Sequence, residues 1–137
     1  MRGLLLFAIL CLAGCGPLET AVYPTTGSLK LAGGQSPAGC VVEFSSQAAD
    51  TKGVNARGEV GADGNYTLKT TLNGKEKDGA VAGPHKVVVI PPPASSTPGS
   101  PPPPPVPVKY MDYSTSGLTF EVKPGDANTF PITIPAK

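Results

Sequence analysis

Cys40-Val41-Val42-Glu43-Phe44-Ser45 places Cys40, Val42 and Phe44 on one side of an extended chain and Val41 and Glu43 on the other. Successive side chains of a β-strand point to opposite faces, so this alternation describes a strand with one buried side. Upstream, Ala32-Gly33-Gly34-Gln35-Ser36-Pro37 has loop composition, and Ser28–Leu31 alternates again with Leu29 and Leu31 in phase. Downstream, Gln47–Lys52 is polar, and Val54–Val60 forms a weaker strand interrupted by Gly58. Gly61-Ala62-Asp63-Gly64 is a turn, because Asp-Gly tolerates the positive φ of tight hairpins. Asn65–Thr70 then brings Tyr66 and Leu68 inward. Leu72–Gly83 is a long polar loop, and His85–Ile90 is the most apolar strand, with Val87 and Val89 facing the core.

Between Pro91 and Pro107 the alternation stops, and the segment carries ten prolines, including the run Pro101–Pro105. Proline has no N–H to give to a ladder and favours polyproline II, so this segment is expected to be a solvated, extended insert. Alternation resumes in Gly117–Lys123, with Leu118, Phe120 and Val122 inward. Pro124-Gly125-Asp126-Ala127 turns the chain into Asn128–Ile134, with Phe130, Ile132 and Ile134 inward. No helical period occurs from Val22 onward. About seven short strands with frequent Gly, Asn, Asp and Pro predict an all-β fold, a small antiparallel β-sandwich.

The N-terminus has a different grammar. Arg2 precedes the apolar run Leu4–Leu12, and small residues then lead to Cys15. Charge, apolar run and small-residue site in that order describe a secretory signal peptide, expected as a helix over residues 1–14. The run is much shorter than the roughly 20 residues of a membrane-spanning helix. Leu12-Ala13-Gly14-Cys15 resembles the lipobox of bacterial lipoproteins. The resemblance implies diacylglycerol on the Cys15 thiol and cleavage between Gly14 and Cys15. It also implies an exported chain held at a bacterial membrane, outside the cytoplasm, by lipid on Cys15. The alternatives are an ordinary signal peptide with Cys15 incidental, or an uncleaved anchor. Residues 15–21 are a short tether, and residues 22–137 form one domain with the insert at 91–107.

The chain carries 11 Lys and Arg against 10 Asp and Glu, a formal charge of +1. Loss of Arg2 with the signal makes the mature chain neutral. A neutral chain without basic runs lacks the footprint that nucleic acid requires. Of three cysteines, Cys11 would leave with the signal, and the resemblance implies that Cys15 is acylated. Cys40 is then unpaired, in phase with Val42 and Phe44, and is expected to be a small buried hydrophobe. No catalytic residue, metal ligand set or cofactor site is expected. His85 is the lone histidine, in phase with Val87 and Val89, and neither a triad nor a zinc set can be assembled around it. The aspartates beside glycine at Asp63, Asp78 and Asp126 lack the alternate-position pattern of a calcium loop.

Three stretches in order resemble the carboxypeptidase regulatory-like domain, also called transthyretin-like or prealbumin-like. They are Ser36-Pro37-Ala38-Gly39-Cys40-Val41-Val42-Glu43-Phe44, then Asp63-Gly64-Asn65-Tyr66-Thr67-Leu68, then Gly83-Pro84-His85-Lys86-Val87-Val88-Val89. The resemblance implies a prealbumin-like sandwich acting as a non-catalytic accessory module. Related adhesin domains suggest a further option, an isopeptide between Lys30 and Asn128, against which stands the outward phase of Lys30. The expected function is therefore a lipid-anchored envelope protein presenting a structural or binding surface to an envelope protein or polysaccharide. The rival is a carbohydrate-binding sandwich using Tyr110 and Tyr113, with Tyr23, as an exposed aromatic platform.

Overall fold

A computed structural model describes residues 18–135. The signal segment, with its expected helix, Gly14 and Cys15, lies outside the described residues. The chain forms β1 (Val22–Tyr23), β2 (Thr25–Leu31), β3 (Val41–Ser46), β4 (Asn55–Glu59), β5 (Asn65–Thr67) and β6 (Lys69–Leu72). It continues through β7 (Lys75–Asp78), β8 (Ala80–Val81), β9 (Gly83–Ile90), a 3-10 turn (Val108–Met111), β10 (Leu118–Val122) and β11 (Asn128–Ile134). One antiparallel sheet runs β10-β9-β3-β4-β6-β7, a second runs β11-β2-β5, and β1 pairs with β8. The inward residues of the two larger sheets share one core, an arrangement consistent with a β-sandwich.

Register explains the packing. Val42 lies opposite Val89, and Phe44 opposite Val87, so the apolar phases of β3 and β9 coincide. All four are fully buried, as are Leu29 and Leu68. Leu29, Ile132 and Ile134 meet them from the facing sheet. At one open side, Phe120 of β10 stacks on Phe130 of β11 with centroids 4.6 Å apart. Phe44 meets both rings edge-on at 5.9 Å. Such aromatic pairs are worth about 0.5–1.5 kcal/mol each beyond their buried area, and here they join the two sheets.

Tyr66 secures the smaller sheet. It lies opposite Gly27, and its hydroxyl passes over that glycine to donate to the Phe130 carbonyl at 2.6 Å. A Cβ on Gly27 would lie 2.1 Å from the same carbonyl oxygen, so only glycine leaves the passage open. At the Asp63-Gly64 turn, Gly64 has φ +83°, and the Asp63 carboxylate accepts from the Asn65 amide at 3.0 Å.

Several sequence expectations need correction. Against about seven expected strands, the described residues form eleven. The expected Asn65–Thr70 strand is two, because at Leu68 the chain changes sheets. Its amide donates to Thr25 of β2, and its carbonyl accepts from Gly79, beyond β7. The polar Leu72–Gly83 loop contains β7 and β8. β7 forms a hairpin with β6 around Asn73 and Gly74, and its charged residues leave no apolar period to read, while β8 is only the buried pair Ala80–Val81. The sandwich is not wholly antiparallel. β2 and β11 run parallel, with Asn128 opposite Thr25 and Ile134 opposite Leu31.

The proline insert is corrected in part. Residues 93–102 are exposed, as expected, but Val106 is buried in the core. Val106 closes the end of the sandwich beside Leu31 and Ile134. That end also carries the Gly33–Gly34 and Asp63–Gly64 turns. The other end carries Thr25, Gly83 and Asn128, together with β1.

Candidate functional site

The outer face of the larger sheet carries a charged row that strand register creates. Val88, Glu43, Arg57, Lys69 and Asp78 lie side by side across β9, β3, β4, β6 and β7. Each is on the outward phase of its strand, because the inward phase is taken by Phe44, Ala56 and Thr70. Arg57 pairs with Glu43, and Lys69 holds Glu76 at 2.8 Å. The loop after the 3-10 turn then folds back over the row. Tyr113 donates its hydroxyl to Glu43 at 2.5 Å, leaving the Glu43 side chain only 12% exposed. Val88 is buried beneath this cover.

Burial, followed by the neighbouring Glu43 carboxylate, pushes the Tyr113 hydroxyl well above the usual tyrosine range. The phenol therefore stays protonated and acts as a donor, not as a base or nucleophile. Beside it, Asn55, Arg57, Lys69, Thr71 and Glu76 line an open groove with both charge signs and exposed hydroxyl and amide groups. That lining can exchange hydrogen bonds with a polar, neutral or zwitterionic ligand. Its two cations are each paired with a carboxylate, Arg57 with Glu43 and Lys69 with Glu76. Among the described residues, no group of three or more His, Cys, Asp or Glu could hold a metal.

The aromatic platform is corrected here. Tyr110 is 6% exposed and belongs to the core cluster, because the 3-10 turn drives its ring inward after Val106. It offers no stacking face. Tyr113 is half-buried with its hydroxyl engaged, and Tyr23 packs at the opposite end in β1. The three rings do not form one surface. What sequence reasoning missed is the Glu43–Arg57–Tyr113 cluster. Glu43 was visible as an outward residue and Arg57 only as part of the weaker Val54–Val60 strand, and nothing in the pattern gives the register that pairs them or brings Tyr113 over them.

His85 lies in the core at 1% exposure. Its Nδ1 faces the Gly83 carbonyl at 2.9 Å, which requires the proton there, and Nε2 has no partner. Its ring lies 5.8 Å from Phe44, with Ser46 and Phe120 as its cross-strand neighbours. Burial pushes its pKa down, so the ring is neutral and enclosed. Ser46, the nearest hydroxyl across the ladder, is bonded to Thr51 at 2.8 Å. Cys40 is buried, and desolvation raises its thiol to about 11, which removes thiolate reactivity.

Lys30 and Asn128 do not meet. Lys30 pairs with Thr133, while Asn128 pairs with Thr25 at the far end of β2. Five residues of parallel strand separate the two by about 17 Å. The Asn128 amide is spent on the Lys123 and Asp126 carbonyls at 3.0 and 3.1 Å, closing the turn between β10 and β11.

At the N-terminal end, Glu19 pairs with Lys77, and Val22 pairs with Val81. The tether is thus fastened to β7 and β8 from Glu19 onward. Among the described residues, no helix is long and apolar enough to cross a membrane. Compared with family models, with curated proteins and with solved structures, the chain matches none.

Proposed function

We propose that this chain is a non-catalytic, lipid-anchored cell-envelope protein whose prealbumin-like β-sandwich presents a structural or binding surface at a membrane. The lipobox-like Leu12-Ala13-Gly14-Cys15 supports the anchor, with membrane lipid as the partner of acylated Cys15. The fastened tether carries the reading further. With Glu19 held by Lys77 and Val22 in a ladder, only three residues, 16 to 18, stand between Cys15 and the folded body. Acyl chains on Cys15 would hold the β1 end against the lipid, and stable anchoring needs two such chains or more. The proline segment and the Gly-rich turns, at the opposite end, would then face outward.

Replacing Cys15 with Ser tests the anchor. The protein is expected to move from the membrane pellet to the soluble extracytoplasmic fraction and to lose its acyl mass. An unchanged pellet fraction overturns the reading. The second reading, a carbohydrate-binding module with an envelope polysaccharide as ligand, rests on the mixed-polarity groove beside Arg57 and Tyr113. Glycan-array binding lost in Arg57→Ala plus Tyr113→Ala favours it, and an array without signal counts against it.

A further inference from the structure

We propose that Ser95, Ser96, Thr97 and Ser100 are acceptors for O-linked sugar. These four hydroxyls sit in residues 93–102, which are exposed without interruption. No charged residue occurs from Pro91 to Val108. Prolines at 91–93, 98 and 101–105 remove amide donors, and the chain turns at Pro98–Gly99, so the segment cannot zip onto a sheet and hide its hydroxyls. Serine and threonine interspersed with proline on exposed chain are the composition of O-glycosylated stalks.

The fold sets these hydroxyls apart from the buried and the strand-bound ones. Ser46, Thr70 and Ser116 are buried, and each is committed to a hydrogen bond. Thr119, Thr129 and Thr133 are exposed, but their backbones are fixed in β10 and β11. Along the proline segment, Ser95 Oγ accepts from the Thr97 amide at 3.2 Å, and the side-chain hydroxyls of Ser96, Thr97 and Ser100 have no partner among the described residues. Both ends of the segment are fixed, by Ile90 in β9 and by buried Val106. A transferase therefore meets an exposed segment, turned at Pro98–Gly99 where the Ser100 amide donates to the Thr97 carbonyl at 3.2 Å, with four accessible hydroxyl oxygens, three of them without a partner among the described residues.

The chemistry balances without a further reagent. A hydroxyl oxygen attacks the anomeric carbon of a sugar carried on a nucleotide or polyprenyl phosphate. The new glycosidic C–O bond forms as the bond to phosphate breaks, phosphate leaves with the electron pair, and the hydroxyl proton passes to a base of the transferase. The inference does not depend on the lipid anchor, since the acceptors lie in a different part of the chain.

Trypsin isolates the question, because cleavage after Lys86 and Lys109 releases Val87–Lys109, whose only hydroxyl residues are these four. The full chain purified from its own cells is digested and weighed. The expected result is a Val87–Lys109 peptide heavier by whole sugar residues, at its bare mass after combined Ser95→Ala, Ser96→Ala, Thr97→Ala and Ser100→Ala replacement. All four residues are exposed, so the variant keeps its fold, and circular dichroism checks that it does. A bare wild-type peptide overturns the proposal. So does an added mass that is phosphate, or one that survives the quadruple replacement. Acyl mass falls on the peptide that contains Cys15, so loss of the anchor and loss of the sugar are read separately.

Discussion

Strand β9 and the proline segment that leaves it at Ile90 are neighbours in sequence, and they fold by different rules. In β9 the ladders to β3 and β10 hold the backbone, and side chains fall into place by period two. In the segment from Pro91 to Tyr110 no ladder exists. Its first part stays in solvent, while Val106 and Tyr110 are drawn into the core individually. The difference shows that burial here has two sources: hydrogen-bond periodicity, which repeats, and single side chains used as plugs, which do not.

The largest expected effect comes from breaking the periodic side. Phe44→Ala removes the ring that Phe120 and Phe130 both meet, and is expected to cost about 4 kcal/mol of unfolding free energy, read from the urea midpoint. The plug side is tested by Tyr110→Ala, expected to cost about 3 kcal/mol because the ring is buried although no strand holds it. A cost near zero would mean that Tyr110 packs on the core without filling it. Its near neighbour sharpens the contrast. Tyr113→Phe removes one hydrogen bond to Glu43 and is expected to cost only about 1 kcal/mol.

A third test concerns the polar group that periodicity buried. His85 has a lowered pKa in the folded protein, so the unfolded chain binds its proton first as the pH falls. Stability is therefore complete above the unfolded histidine value of about 6.5 and declines as the pH drops from there toward the folded value. Denaturation midpoints measured through this window are expected to fall in the wild type. They should stay flatter in His85→Leu, since Glu19, Asp63 and Asp112 are lowered from the carboxylate range and titrate below it. The smallest effect is expected from excising residues 94–100. A shorter loop changes closure entropy by well under about 1 kcal/mol, so the thermal midpoint should barely move while Val106 remains. A large drop would show that this exposed segment braces the sandwich.

These contrasts also explain what could be read from sequence. The inward sets of β2, β3, β9 and β11 were legible because Leu29, Phe44, Val87 and Ile132 each recur in phase with a neighbour two positions away. The Gly64 turn was legible because its residues have a conformational reason to be there. β7 was not, since Lys75 to Asp78 pair through their backbones and show only charge. The parallel partnership of β2 with β11 was not, because both strands carry the same pattern in either direction. Within the site, Glu43 could be placed on an outer face, but Tyr113 reaches it from a segment without period. Tyr110, three residues earlier, looked no different from Tyr113 and went inside.

That first-to-last partnership has a bearing on assembly. Thr25 cannot find Asn128 until nearly the whole described chain exists, and such distant pairings close slowly. A growing chain would hold Leu29 and Leu31 uncovered on a half-built edge throughout that wait, open to any passing strand. Pro131, set in the middle of the strand that finally completes this edge, lacks the donor through which a foreign strand could add itself, and so ends the exposure once the chain has closed.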